Sequence, residues 1–216
     1  MKNLLKKTLL LALAAMLLAL PALAEETVDP LTKIEAESGI VEAVEGGVRL
    51  AGRTEDNSGD AYLNTWHILQ ESVADFDWNF KFTPTLVGWN MDKVMFRSVD
   101  ENEWNGYALK INGSELGLPT LQLLKGEAYN DEPYGTADMT LEAGVTYAVR
   151  ILAEGKSVKV WFTPAEELTE ETEPVIDVEL PDDPAEYRTT YIESGDFQFI
   201  SWAGDFVVSE MSIEVK

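Results

Sequence analysis

The sequence has no cysteine and a single histidine, His67, among its 216 residues. No disulfide can form, and thiolate chemistry is excluded. One histidine without cysteine does not make the ligand sets that hold zinc. No Gly-x-Ser-x-Gly turn is present to lift a nucleophilic serine. Basic residues are scarce: 16 Lys and Arg stand against 39 Asp and Glu, for a net charge of −23. A surface of that sign opposes nucleic acid and anionic membranes, which both require compensating cations. It suits neutral or cationic partners and divalent cations. Long apolar runs are also missing, apart from Thr8–Leu20.

That run follows Lys2, Lys6 and Lys7 and precedes Pro21-Ala22-Leu23-Ala24, an A-x-A processing site. Residues 1–24 therefore read as a secretory signal peptide cut between Ala24 and Glu25, because the run is short for a span of about 20 residues. The expected product is secreted and extracellular, with no membrane span after cleavage and no cysteine to carry a lipid. Losing three lysines leaves 13 basic against 39 acidic residues, a net of −26. About 190 residues remain. A chain of that size can bury a self-sufficient core without disulfides. Residues 25–33 form a short N-terminal segment and 34–216 a single domain, since no repeat or linker divides them.

Strand signals dominate what is present. In Val73–Phe82, Phe76, Trp78, Phe80 and Phe82 share one face, and Asp75, Asp77, Asn79 and Lys81 share the other, a period of two. Thr146–Leu152 and Ser157–Phe162 flank a Gly-containing turn and read as a hairpin, as do Ile40–Val44 and Val48–Ala51. Leu118–Leu124, Val175–Leu180, Phe197–Trp202 and Phe206–Val215 are further strands. Pro164–Glu173 has almost no apolar face and reads as a solvated acidic loop. Ten to thirteen short strands separated by turns predict an all-β, antiparallel sandwich.

The segment Val94–Gly113, VMFRSVDENEWNGYALKING, predicts two antiparallel strands, each with one buried and one solvated face, around a polar turn. Arg97, Asn102, Trp104, Asn105 and Tyr107 interrupt its alternation. Aromatic rings pack on the axial C–H groups of sugars, while Arg and Asn supply planar donors and acceptors. Trp66, Trp89 and Trp202, beside other turns, complete a candidate ligand-binding rim. Against this stands the ordinary use of strand aromatics as core.

The order WNFKF, VMFRSVDENEWNGYALKING, LQLLKG and LEAGVTYAVRILAEGKSVKVWF resembles the concanavalin A-like lectin/glucanase superfamily, in particular laminin-G-like and jelly-roll modules of bacterial secreted proteins. The resemblance covers about Asp75–Lys216. It implies a lectin-like jelly roll that binds glycan or polysaccharide. It also implies a structural calcium between the chain ends, with Glu35 or Glu210 as donor; no other cofactor is expected.

Catalysis would need two opposed carboxylates, about 5–5.5 Å apart for retention or about 6.5–9.5 Å for inversion. The Glu-x-Asp-x-Glu pattern of catalytic members is absent. Asp177/Glu179, Asp75/Asp77 and Glu35/Glu37 are only pairs, which 39 acids generate by chance. The leading expectation is a non-catalytic carbohydrate-binding module. The alternatives are an adhesive module that binds a protein, and a glycoside hydrolase or lyase of the same fold.

Overall fold

The computed structural model describes residues 30–52, 63–99, 106–125, 132–181 and 191–216. The signal-peptide reading and Asn102, Trp104 and Asn105 of the polar turn lie outside the described residues. Among the described residues fourteen strands form: β1 (Ile34–Ala36), β2 (Ile40–Val44), β3 (Gly47–Ala51), β4 (Leu63–Val73), β5 (Phe76–Pro84), β6 (Met91–Ser98), β7 (Tyr107–Asn112), β8 (Leu121–Lys125), β9 (Gly135–Ala137), β10 (Tyr147–Glu154), β11 (Ser157–Pro164), β12 (Ile176–Glu179), β13 (Gly195–Trp202) and β14 (Asp205–Val215). They build two seven-stranded sheets, ordered β1-β4-β13-β6-β7-β8-β9 and β12-β11-β10-β5-β14-β3-β2. Every pairing is antiparallel. The all-β sandwich expected from the sequence is the fold observed.

The core lies between the sheets and is aromatic at its centre. Phe76, Trp78 and Phe80 of β5 meet Phe197 and Phe199 of β13, with ring centroids 4.9–5.5 Å apart. Most of these contacts are edge-on, the arrangement that ring quadrupoles favour. Period-two alternation in β5 produces this layer directly and sends Asp77, Asn79 and Lys81 to the outer face.

Two features depart from the sequence reading. Strand β4 was not expected, because TWHILQESV lacks clean alternation; it lies between β1 and β13, and both Trp66 and Thr65 are buried. Strands β6 and β7 are buried at every position and not on one face alone. Their outer face carries a second apolar cluster, Met95, Ala108, Leu124 and Ile200, which replaces the solvated face expected there.

Gly195 shows how tightly these strands meet. A β-carbon on it would overlap the backbone of Arg97 and Ser98. The register shifts there, between Gly195 and Phe197 against β4 and between Asp196 and Gln198 against β6, and Arg97 adopts φ +50.

Candidate functional site

The rim residues that fall among the described ones, Trp66, Trp89, Arg97, Tyr107 and Trp202, do not converge. Trp66 is fully buried, edge-on to Phe206 at 6.0 Å, so its ring reaches no ligand. Tyr107 is buried, stacks on Phe96, and its hydroxyl accepts a hydrogen bond from the Ile192 amide at 3.1 Å. Arg97 is 0 % exposed. It donates to the Ala74 carbonyl (2.9 Å) and the Tyr191 hydroxyl (3.2 Å), and its Nη2 lies 3.6 Å from Asp75. These three serve the interior because their positions in β4, β6 and β7 point between the sheets or into the sandwich end. Trp202 is partly buried at the far end of β13, opposite Met91, and Trp89 is exposed in the turn before β6. Met91 and Arg97 are six residues apart, about 20 Å along a strand, so the tryptophans and the Arg97–Tyr107 pair sit at opposite ends. Glu35 on β1 faces His67, whereas Glu210 on β14 pairs with Lys81 in the other sheet. Among the described residues no three His, Asp or Glu side chains gather to hold a metal.

The outer face of the first sheet is shielded. One row across it runs Thr65, Ile200, Lys93, Lys110, Gln122, and Lys93 stands directly opposite Lys110. Both lysines are buried, as are the apolar side chains beside them.

The second sheet has an open site on its outer face. There Asn79 of β5, Arg150 of β10 and Trp161 of β11 stand side by side in register, three neighbouring strands at about 4.8 Å each. Arg150 grips Asp77 through two parallel bonds, Nε to Oδ1 at 2.9 Å and Nη2 to Oδ2 at 2.7 Å. Asn79 donates to the same Oδ1 at 2.8 Å. Burial by itself would raise the Asp77 carboxyl, but the hydrogen bonds and charge of Arg150, aided by Asn79 and Lys216, outweigh it and hold the group below its ordinary value. The guanidinium also lies over the Trp161 ring, 4.6 Å from its centroid.

The segment after β11 forms the wall. Trp161 Nε1 donates to the Thr172 carbonyl at 2.8 Å, and the Thr169 amide donates to Thr172 Oγ1 at 2.9 Å, closing a tight turn. Floor and wall border an open cavity of about 590 Å³, lined by Trp161, Arg150, Asp77, Asn79 and, from the turn, Leu168, Thr169, Glu170 and Thr172. That size suits a small ligand. An indole, a fixed guanidinium, an amide and two hydroxyls offer both a flat apolar surface and directional polar groups.

The sequence reading passed over this site, although its signals were present. In SVKVWF the inward residues are Val158, Val160 and Phe162, which leaves Trp161 as an aromatic on the wrong face for the core. Arg150 breaks the apolar run YAVRIL in the same way. Asp77 and Asn79 lie on the polar face that the alternation of Val73–Phe82 predicts, but nothing local pairs them with Arg150.

No protein-family model matches the chain, and no curated protein matches it by sequence. Solved structures do resemble it. The carbohydrate-binding module CBM66 from Bacillus subtilis superposes with a TM-score of 0.61 at 18% identity, covering 84% of this chain and 95% of its own. The exoplasmic/lumenal domain of VIP36, solved in a form bound to Ca2+ and Man3GlcNAc, gives 0.59 at 10% identity over 88% and 87% of the two chains. The alginate lyase AlgAT5 of polysaccharide lyase family 7 gives 0.52 at 11% identity over 83% of each. At such identities the likeness establishes the architecture: the chain is an antiparallel jelly-roll sandwich of the concanavalin A-like kind, a fold shared by sugar-binding modules, lectins and lyases.

Proposed function

We propose that this chain is a secreted, non-catalytic carbohydrate-binding sandwich that takes a glycosyl unit in the Asp77–Arg150–Trp161 pocket. The observation that carries the reading is the in-register row Asn79–Arg150–Trp161, open beside a wall hydrogen-bonded to the same tryptophan. Sugars present apolar C–H faces and a ring of hydroxyls, which match an indole beside planar donors and acceptors. Asp77 is held ionised by Arg150, so it does not supply the protonated carboxyl with which a glycosidase protonates its leaving group. This favours binding over hydrolysis at the pocket. The wider fold likeness to glycan-active proteins agrees with it, and a laminin-G-like relationship is the finer assignment we propose.

Affinity electrophoresis of the chain through a panel of polysaccharides, with Trp161→Ala as the paired control, tests the reading. Retardation by at least one polysaccharide is expected, with about a tenfold loss of affinity in the variant, the consequence of losing roughly 1.4 kcal/mol of stacking. A folded wild type that no polysaccharide retards, or retardation unchanged by Trp161→Ala, would overturn it.

A further inference from the structure

The charge distribution around the pocket narrows the ligand class. We infer that the glycosyl unit it selects carries a protonated amine; the inference rests on the carbohydrate reading above. The wall, residues 165–175, contains Glu166, Glu167, Glu170, Glu171 and Glu173 and no Lys, Arg or His. All five glutamates are exposed, and among the described residues none has an ion-pair partner.

The floor does not offset this charge. The cations on the strands of this face, with Lys216 just beyond β14, are already matched: Arg150 to Asp77 at 2.7 Å, Lys159 to Asp177 at 3.4 Å, Lys216 to Glu214 at 3.0 Å, Lys81 to Glu210 at 2.5 Å and Arg49 to Asp205 at 2.7 Å. The wall is fixed to the floor by the Trp161–Thr172 bond and its turn is closed by the Thr169–Thr172 bond, so its negative charge stays at the cavity rim. Glu170 itself lines the cavity. Clustered like charges beside a low-dielectric surface concentrate counter-ions of opposite sign.

The cation site over the indole is already taken, because the Arg150 guanidinium lies over the Trp161 ring. An amine-bearing sugar therefore gains its extra attraction at the rim. A neutral sugar gains from stacking and hydrogen bonding alone. A uronate is repelled by the wall.

Calorimetry compares three probes: oligosaccharides of 2-amino-2-deoxyglucose, their N-acetylated counterparts and oligouronates. The titrations are run at mildly acidic pH, where the amine is protonated, and at low ionic strength, about 0.02 M, where screening is weak. The amine form is expected to bind about tenfold more tightly than the acetylated form, with the oligouronate weakest. The triple variant Glu170→Gln, Glu171→Gln and Glu173→Gln removes the tenfold preference by weakening the amine form more than the acetylated form. Trp161→Ala weakens both forms. Equal affinities in the wild type, or a preference that survives in the triple variant, overturn the amine assignment while the carbohydrate reading stands. Amine binding that survives Trp161→Ala assigns it to the overall acidity and overturns both, as does the absence of any binding.

Discussion

Replacing Asp92 by asparagine tests how the sandwich carries a buried carboxylate. Asp92 sits on β6 at 2 % exposure, where Ser201 Oγ donates to Oδ1 at 2.6 Å and Asn90 Nδ2 donates to Oδ2 at 2.9 Å. Burial dominates, and the two hydrogen bonds only partly offset it, so the group is raised from 3.8 to about 6. Between those values the folded chain keeps a proton that the unfolded chain has lost. Stability is therefore fully supported below pH 3.8, declines as the pH rises and carries the whole penalty above about pH 6. At about 1.4 kcal/mol for each pH unit between the two values, that penalty is roughly 3 kcal/mol.

Asparagine is neutral throughout and escapes this decline, but its NH2 either faces the NH2 of Asn90 or faces Ser201 and takes away the acceptor of that hydroxyl. Asn90 Oδ1 already accepts from the Gly88 amide at 2.9 Å, so flipping Asn90 breaks a bond to mend one, at a cost of about 1–2 kcal/mol. Asp92→Asn is thus expected to be less stable than wild type at pH 4 by about 1–2 kcal/mol. At pH 8 it is expected to be more stable by about 1–2 kcal/mol. Urea unfolding followed by tryptophan fluorescence at each pH unit from 4 to 8 measures both chains, and the titration of every other group largely cancels in the difference. A difference that stays constant across that range would refute the reasoning, because Asp92 would then ionise as an ordinary carboxylate.

Other expectations follow from the same geometry. Arg97→Ala removes the bonds to the Ala74 carbonyl and the Tyr191 hydroxyl from a fully buried site, and should cost roughly 3 kcal/mol in urea unfolding. Gly204→Ala drives a β-carbon into the Asp92 carboxylate and Ser201 Oγ and should destabilise by about 1–3 kcal/mol, seen as a lower Tm. Asp77 and Asp205 are both held below their ordinary value, so their stabilisation is present above about pH 4 and is lost as the pH falls through their folded values. Asp205→Asn should flatten that acid limb in an unfolding series from pH 4 to 2.

How much of this was legible depended on which face a residue served. Strand β5 was readable because its inner face is all aromatic and its outer face polar, so a period of two survives in FDWNFKF. Strand β4 was not readable, since burial of both Trp66 and Thr65 removes the polar half of the pattern. The described members of the expected rim stand apart for a related reason. Aromatic and guanidinium groups suit sugars, but they also suit a core and a buried staple, and residue type cannot separate these uses. Arg97 has the chemistry of a ligand contact, yet it ties Ala74 to Tyr191. Trp161 and Arg150 carry the same chemistry out of phase with their own strands, and only the sheet register places them side by side. The acidic loop was correctly read as irregular and solvated. That it borders a cavity follows from a tertiary hydrogen bond to Trp161, which no local pattern encodes.

The sheet margins have a consequence of their own. The outermost strands β1, β9, β12 and β2 are only 3, 3, 4 and 5 residues long. Three of them carry acids: Glu35 on β1, Asp177 and Glu179 on β12, and Glu42 on β2. An exposed edge is a template on which another chain can add a strand, and these templates are too short and too like-charged to hold one. The chain is thus guarded against edge-to-edge polymerisation by brevity and repulsion, a protection that does not depend on the covalent bridges its composition forgoes.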